Sequence, residues 1–237
     1  MSRLNELIQE LHACPGFSIL VKIRSLSITR VMNERNLLDL QNALSNHAAR
    51  AEGSGSPILG QLSDDESEII NVMRFLHNYL ASSKTLIDHS RRIVKSLCEE
   101  TPFYTEYGGR KNKCFVGNPL SHFVQDLRNF TLHRDIPLRG PTVARGLDGT
   151  ISGYYKLDRE ALSGWNKWSA PSEQYLSGVE VELRLHEIVS AYDALVSEFY
   201  CWLERRLREV FECDIREEEN LRHQIREQPK SERRTTG

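Results

Sequence analysis

Apolar residues recur at helical spacing from Ile69 to Leu97, and that run limits the fold more than any other feature of the chain. Ile69, Met73, Leu76, Leu80, Ile87, Val94 and Leu97 keep one face apolar. The helix they mark opens at the capping-box pattern Ser63-Asp-Asp-Glu66 and continues for about nine turns at 3.6 residues per turn. A second run, Val179, Leu185, Val189, Tyr192, Val196, Phe199, Leu203, Leu207 and Val210, predicts another long helix from about Ser172 to Phe211. A long helix with one apolar stripe must hide that stripe against other helices. The expected class is therefore all-α, a bundle of long antiparallel helices.

The segments around these two helices follow the same logic. A first helix is predicted from about Arg3 to Ala13, with Leu4, Leu7, Ile8 and Leu11 on one face, ended by Pro15-Gly16. Residues 17–32 carry β-branched side chains that suit a strand, and Ile19, Ile23 and Leu26 at spacings that suit a helix; the helix is the reading adopted. A third helix is expected over about 33–51, then a loop at Gly53-Ser-Gly-Ser-Pro57. Residues 102–119 read as a loop. Thr142 to Leu157 reads as a small β-hairpin insertion turning at Asp148-Gly149, with a short helix after it over 158–168. The aromatics Tyr154, Tyr155, Trp165 and Trp168 either seal that insertion onto the core or stack on single-stranded bases, and sealing is the commoner use. Residues 213–237 alternate acids and bases with few apolar side chains, so a disordered charged tail is expected. The resulting division is 1–57 as an N-terminal helical extension, 58–212 as the main domain with the hairpin at about 142–157, and 213–237 as the tail.

The most distinctive chemistry lies in Phe123-Val-Gln-Asp-Leu-Arg128-Asn129-Phe-Thr-Leu-His133-Arg-Asp-Ile-Pro137. Leu120, Phe123, Val124, Leu127 and Phe130 make an apolar helical stripe. Opposite lie His122, Gln125, Asp126, Asn129 and His133, a polar face without the Lys or Glu that usually fill a solvated one. Asn118 and Pro119 suit the cap and first turn, and Pro137 stops the helix soon after His133. A guanidinium holds a phosphate by two parallel hydrogen bonds, and an imidazole moves a proton near neutral pH. Arg128, Asn129 and His133 are thus candidate catalytic residues for phosphodiester cleavage. Asp88, His122 and Asp126 are auxiliary candidates. The plain alternative is a surface helix on which Arg128 pairs with Asp126 or another acid.

The segment Leu127-Arg128-Asn129-Phe130-Thr131-Leu132-His133 resembles the signature of the HEPN superfamily, an Arg, a polar residue directly after it, and a His a few residues on. The likeness extends more loosely over about 63–210, and the "LRN…H" wording before a proline is similar to a poorly described bacterial subgroup. The resemblance implies a HEPN-like helical bundle, often a homodimer with two motifs facing each other. Many members are metal-independent endoribonucleases of toxin–antitoxin, phage-defence or RNA-processing systems, so RNA and a protein partner or antitoxin are the implied partners. Other members keep the fold as non-catalytic modules that bind protein or nucleotide.

Composition narrows the alternatives. The 237 residues carry a net charge of −2 with a pI near 6.5, which is not the balance of a general nucleic-acid binder. A local basic cluster of Arg110, Lys111, Lys113, Arg134 and Arg139 flanks the motif, and it serves either RNA binding or loop solubility equally well. Five cysteines without a C-x-x-C pair suit reduced thiols in a cytoplasmic protein. Cys114 and His122 lack the companions a zinc site needs. The early apolar run from Phe17 to Ile23 is short and broken by Lys22, so no membrane association is expected. No phosphate-binding Gly-rich loop, nucleophile elbow or H-E-x-x-H pattern is present, and no cofactor is expected.

Overall fold

The computed structural model describes residues 3–53, 62–145, 148, 151–179 and 182–228. It is mostly helical, with one two-stranded antiparallel hairpin. In chain order the elements are α1 (Arg3–Ala13), α2 (Pro15–Gly53), α3 (Leu62–Cys98), α4 (Pro102–Lys111), a π-helical turn (Asn112–Val116), α5 (Pro119–His133), β1 (Leu138–Arg145), β2 (Ile151–Leu157), α6 (Arg159–Ser163), α7 (Ala170–Gly178), α8 (Leu185–Val210) and α9 (Glu212–Glu227).

The two segments expected at 17–32 and 33–51 are one helix, α2. Ile19, Ile23, Leu26, Leu37, Leu40 and Leu44 form its buried stripe, whereas the β-branched Val21, Ile28 and Val31 stand on its exposed face. β-branched residues thus fall on both faces of one continuous helix. α2 packs against α3 and shares its core with the rest of the chain. Their interface holds a small polar lock: the buried Asn33 Oδ1 accepts from Ser82 Oγ at 3.0 Å and Ser83 Oγ at 2.8 Å.

Four further expectations need correction. Residues 102–119 are ordered as α4 and the π-helical turn because Phe103, Tyr107 and Phe115 have a core to enter. The long helix expected over 172–211 is broken into α7 and α8. The hairpin claims the intervening backbone: Leu157 N–H donates to Leu183 O at 2.9 Å, and Lys156 bridges to Arg184. The supposed disordered tail is helical from Glu212 to Glu227, where α9 lies on α1 and α2 with Ile215 and Glu218 buried. The helix expected over 158–168 is shorter, ending at Ser163.

The hairpin pairs Thr142 with Tyr154 and Pro141 with Tyr155, with a register irregularity between Leu138 and Pro141. Proline has no N–H to give the ladder, which accounts for a break beside it. Tyr154, Tyr155 and Trp168 are buried, and Trp168 donates its indole N–H to Leu162 O at 2.8 Å. These aromatics seal the insertion; Trp168 stacks on Phe123 and Phe130 of α5. Among the described residues, no helix is long and apolar enough to cross a membrane.

Candidate functional site

α5 is built as its sequence dictates. Asn118 Oδ1 accepts from Leu120 N–H at 3.0 Å, and Pro119 occupies the first turn. Phe123, Val124, Leu127 and Phe130 are buried. Their burial against α3, α7 and α8 fixes the rotation of the helix, and so fixes where the polar face points.

Arg128 and Asn129 meet at the end of that face. The Arg128 guanidinium donates from Nη1 to Asn129 Oδ1 at 3.3 Å. Its Nε is buried and has no hydrogen-bond partner, and no carboxylate pairs with Arg128 among the described residues. The plain alternative, an arginine neutralised by Asp126, is not what forms. Asn129 and His133 share one face at i, i+4 spacing, and His133 is exposed. The Arg128 side chain reaches toward that face through its bond to Asn129. His133 also sits in the last turn of α5, where the helix dipole favours a cation.

The auxiliary candidates separate from this group. Asp126 points to α7, where one oxygen accepts from Ser169 N–H at 2.9 Å, Ser169 Oγ at 2.7 Å and Ser172 Oγ at 2.6 Å. It caps the start of α7 from outside, a carboxylate at a helix N-terminus. Asp88 is held by Lys84 at 2.8 Å on its own helix, with Arg91 at 3.8 Å. Of the basic candidates, Arg110 binds Glu198 at 2.6 Å and lies over the Trp202 ring. Lys113 and Arg134 are exposed. Arg139 lies in β1 with its side chain outside the described set.

His122 and Lys111 belong to a second feature that the spacing alone did not reveal. They border a cavity of about 160 Å³ between α3, α4, the π-helical turn, α5 and α8. The π-helical turn shapes it: Gly117 N–H reaches back to Asn112 O at 2.8 Å, turning Phe115 inward and the Val116 carbonyl toward His122. His122 Nε2 lies 2.9 Å from Val116 O. A carbonyl only accepts, so Nε2 carries the hydrogen and Nδ1 is the free ring nitrogen. Gln125, one turn along α5, lines the same space. Deep in it Ser90 Oγ and Tyr200 Oη are 3.1 Å apart, and burial raises the Tyr107 and Tyr200 phenols above their ordinary values. The signal that pointed here was the His122–Gln125 pair on a polar face free of Lys and Glu; Arg91, arriving from α3, had no local signal.

Among the described residues no group of three His, Cys, Asp or Glu side chains is placed to hold a metal ion. No protein-family model, curated protein or solved structure matches the chain, so fold and site stand on their own geometry.

Proposed function

We propose that this chain is a metal-independent endoribonuclease of HEPN type, with Arg128, Asn129 and His133 as its catalytic group. The observation that carries the reading is the state of Arg128. A half-buried guanidinium in a stable domain is ordinarily paired with an acid. Among the described residues this one is held by a single neutral amide and has an unpartnered Nε, and it stands a little over one turn from an exposed imidazole. A guanidinium without an acid can take a phosphate, and an imidazole on the same helix can carry a proton.

The chemistry follows from those groups. Arg128 grips the scissile phosphate and stabilises the charge that builds on it in the transition state. A base removes the proton of the 2′-hydroxyl; the 2′-oxygen bonds to phosphorus, and the bond to the 5′-oxygen breaks. An acid protonates the departing 5′-oxygen, leaving a 2′,3′-cyclic phosphate and a 5′-hydroxyl. His133 serves as one of those two proton carriers. Asn129 keeps the guanidinium turned toward the His133 face. The requirement for a 2′-hydroxyl makes RNA the substrate and leaves DNA uncut.

The test is cleavage of single-stranded RNA in excess EDTA by wild type, Arg128→Ala and His133→Ala. Cyclic-phosphate products from wild type, reduced on the order of 10²–10⁴-fold in both variants, are expected. Cleavage intact in Arg128→Ala sinks the assignment. No cleavage of diverse RNAs by folded wild type moves the reading to a non-catalytic module that binds protein or nucleotide.

A further inference from the structure

The cavity bordered by α3, α4, the π-helical turn, α5 and α8 is built in two zones. Its buried lining is largely aromatic: Tyr107, Phe115, Phe199 and Tyr200, with Phe115 and Phe199 packed edge to face at a centroid distance of 4.9 Å. Its more exposed lining carries Arg91 and Lys111. Among the described residues no acid lines it, in a chain whose net charge is −2. Lys111 forms no ion pair among the described residues, and Arg91 has only the 3.8 Å approach to Asp88, an acid already held by Lys84. Burial raises the Tyr107 and Tyr200 phenols, and the positive charge of Arg91 works against that rise on both. The guanidinium is therefore felt among the buried rings and not only at the surface.

Size and charge together choose the ligand. The space is about 160 Å³, close to the roughly 150 Å³ of an apolar cavity that holds a single benzene ring. It falls well short of the roughly 300 Å³ at which pockets for drug-sized ligands begin. One six-membered ring fills it; a base with its ribose, or a long acyl chain, does not fit. Buried aromatic walls favour a ring through edge and face contacts. Two cations at the rim, with no acid in the lining to neutralise them, favour an anion over a neutral group. We propose that this cavity binds a monocyclic aromatic acid, its ring among Tyr107, Phe115 and Phe199 and its carboxylate on Arg91 and Lys111. Such binding does not rest on the ribonuclease reading, since neither Arg128 nor His133 lines the cavity.

Calorimetric titration and NMR of the full chain with benzoate and phenylacetate test this, with benzyl alcohol, acetate and AMP as controls. At least one of the two acids should bind with a dissociation constant below about 1 mM. Its ring protons should show nuclear Overhauser contacts to Ile87 and Phe115, which line the cavity. Benzyl alcohol keeps the ring and lacks the charge, and acetate keeps the charge and lacks the ring; each should bind about tenfold or more weakly. Arg91→Gln and Lys111→Gln should each weaken binding of the acid by about tenfold, and His133→Ala should leave it unchanged. Arg91 is exposed and Lys111 half-buried, so both variants should fold, which circular dichroism checks. Absence of binding by both acids overturns the proposal, as do ring contacts to residues outside the cavity. Acetate or benzyl alcohol binding as tightly as the acid overturns it too, because ring or charge would then play no part in recognition. Full retention of binding in either variant does the same, and so does displacement of the acid by AMP at lower concentration. The RNA assay is independent: acid binding with no RNA cleavage keeps the cavity and rejects the ribonuclease, and cleavage with no acid binding does the reverse.

Discussion

Asp126 and Arg128 stand two positions apart on α5 and are treated by the fold in opposite ways. Asp126 accepts three hydrogen bonds on one oxygen from the start of α7. Among the described residues, Arg128 has one neutral partner and no acid. A charge with a full set of donors is structural, and a charge without one is available for a ligand. Asp126→Ala should therefore destabilise the protein by about 1.5–3 kcal/mol, the usual cost of losing charged hydrogen bonds. Arg128→Gln, which keeps most of the stem, should cost less than about 1 kcal/mol, since no ion pair is broken. Urea denaturation of the two variants checks both; equal losses would show Arg128 to be a structural arginine. The difference was not legible beforehand. Spacing alone placed Arg128, Asn129 and His133 at a helix end, but the donors to Asp126 come from Ser169 and Ser172, more than forty positions away, and no local pattern announces them.

At the scale of elements, α9 shows why a charged sequence was misread. Its apolar residues are few, and its alternation of acids and bases suggested disorder. What docks it is a missing side chain: Gly16, at the start of α2, lets the α9 backbone approach. A Cβ there would meet the Asp214 carbonyl and come within 2.8 Å of Glu218 Cβ. Gly16→Ala improves helix propensity by about 1 kcal/mol, so a net loss isolates the contact. A net loss of about 1–3 kcal/mol is expected from overpacking, with new protease cuts within 212–227. An unchanged melting curve and digest would mean that α9 does not dock there. The hairpin has its own clasp, in which Lys156 Nζ at 2.8 Å and Tyr154 Oη at 2.7 Å donate to Glu182. Lys156 first, then Tyr154, hold the Glu182 carboxyl down to about 2, against an ordinary 4.5. A folded-state value below the unfolded one gives stability that is full above about pH 4.5 and is lost as pH falls toward 2. Near-ultraviolet circular dichroism of wild type should show hairpin loosening across that window. Glu182→Gln should flatten the change, and an identical acid profile in the variant would remove Glu182 as its cause.

For the molecule as a whole, the bundle was legible because long 3.6-residue periodicity leaves a helix no other way to bury its stripe. The hairpin was legible from the segment 142–157, although Gly149 of the expected turn lies outside the described residues. The joins were not: the fusion of two segments into α2, the π-helical turn and the break before α8 depend on tertiary partners such as Leu183 on β2. The same limit governs the candidate residues: Arg128, Asn129 and His133 lie on one short segment, while the cavity lined by His122 is assembled from several distant ones. One requirement remains at this scale. Cleavage needs a base and an acid at once, and His133 is a single imidazole. Asp88 and Asp126 are engaged elsewhere, and His122 is tied to Val116. On the proposed ribonuclease reading, the second proton carrier would be His133 of a second copy. That reading predicts a homodimer of the 27.3 kDa chain as the active species. Sedimentation should give twice the chain mass, and specific activity should fall on dilution as dimers separate. A mixture of Arg128→Ala and His133→Ala subunits should show whether the two motifs act as one site: activity above that of either variant alone means that residues from both copies meet at one phosphate. Specific activity that stays constant down to concentrations at which sedimentation finds only monomer would mean that one chain supplies both proton transfers, and the catalytic group would have to be enlarged beyond Arg128, Asn129 and His133.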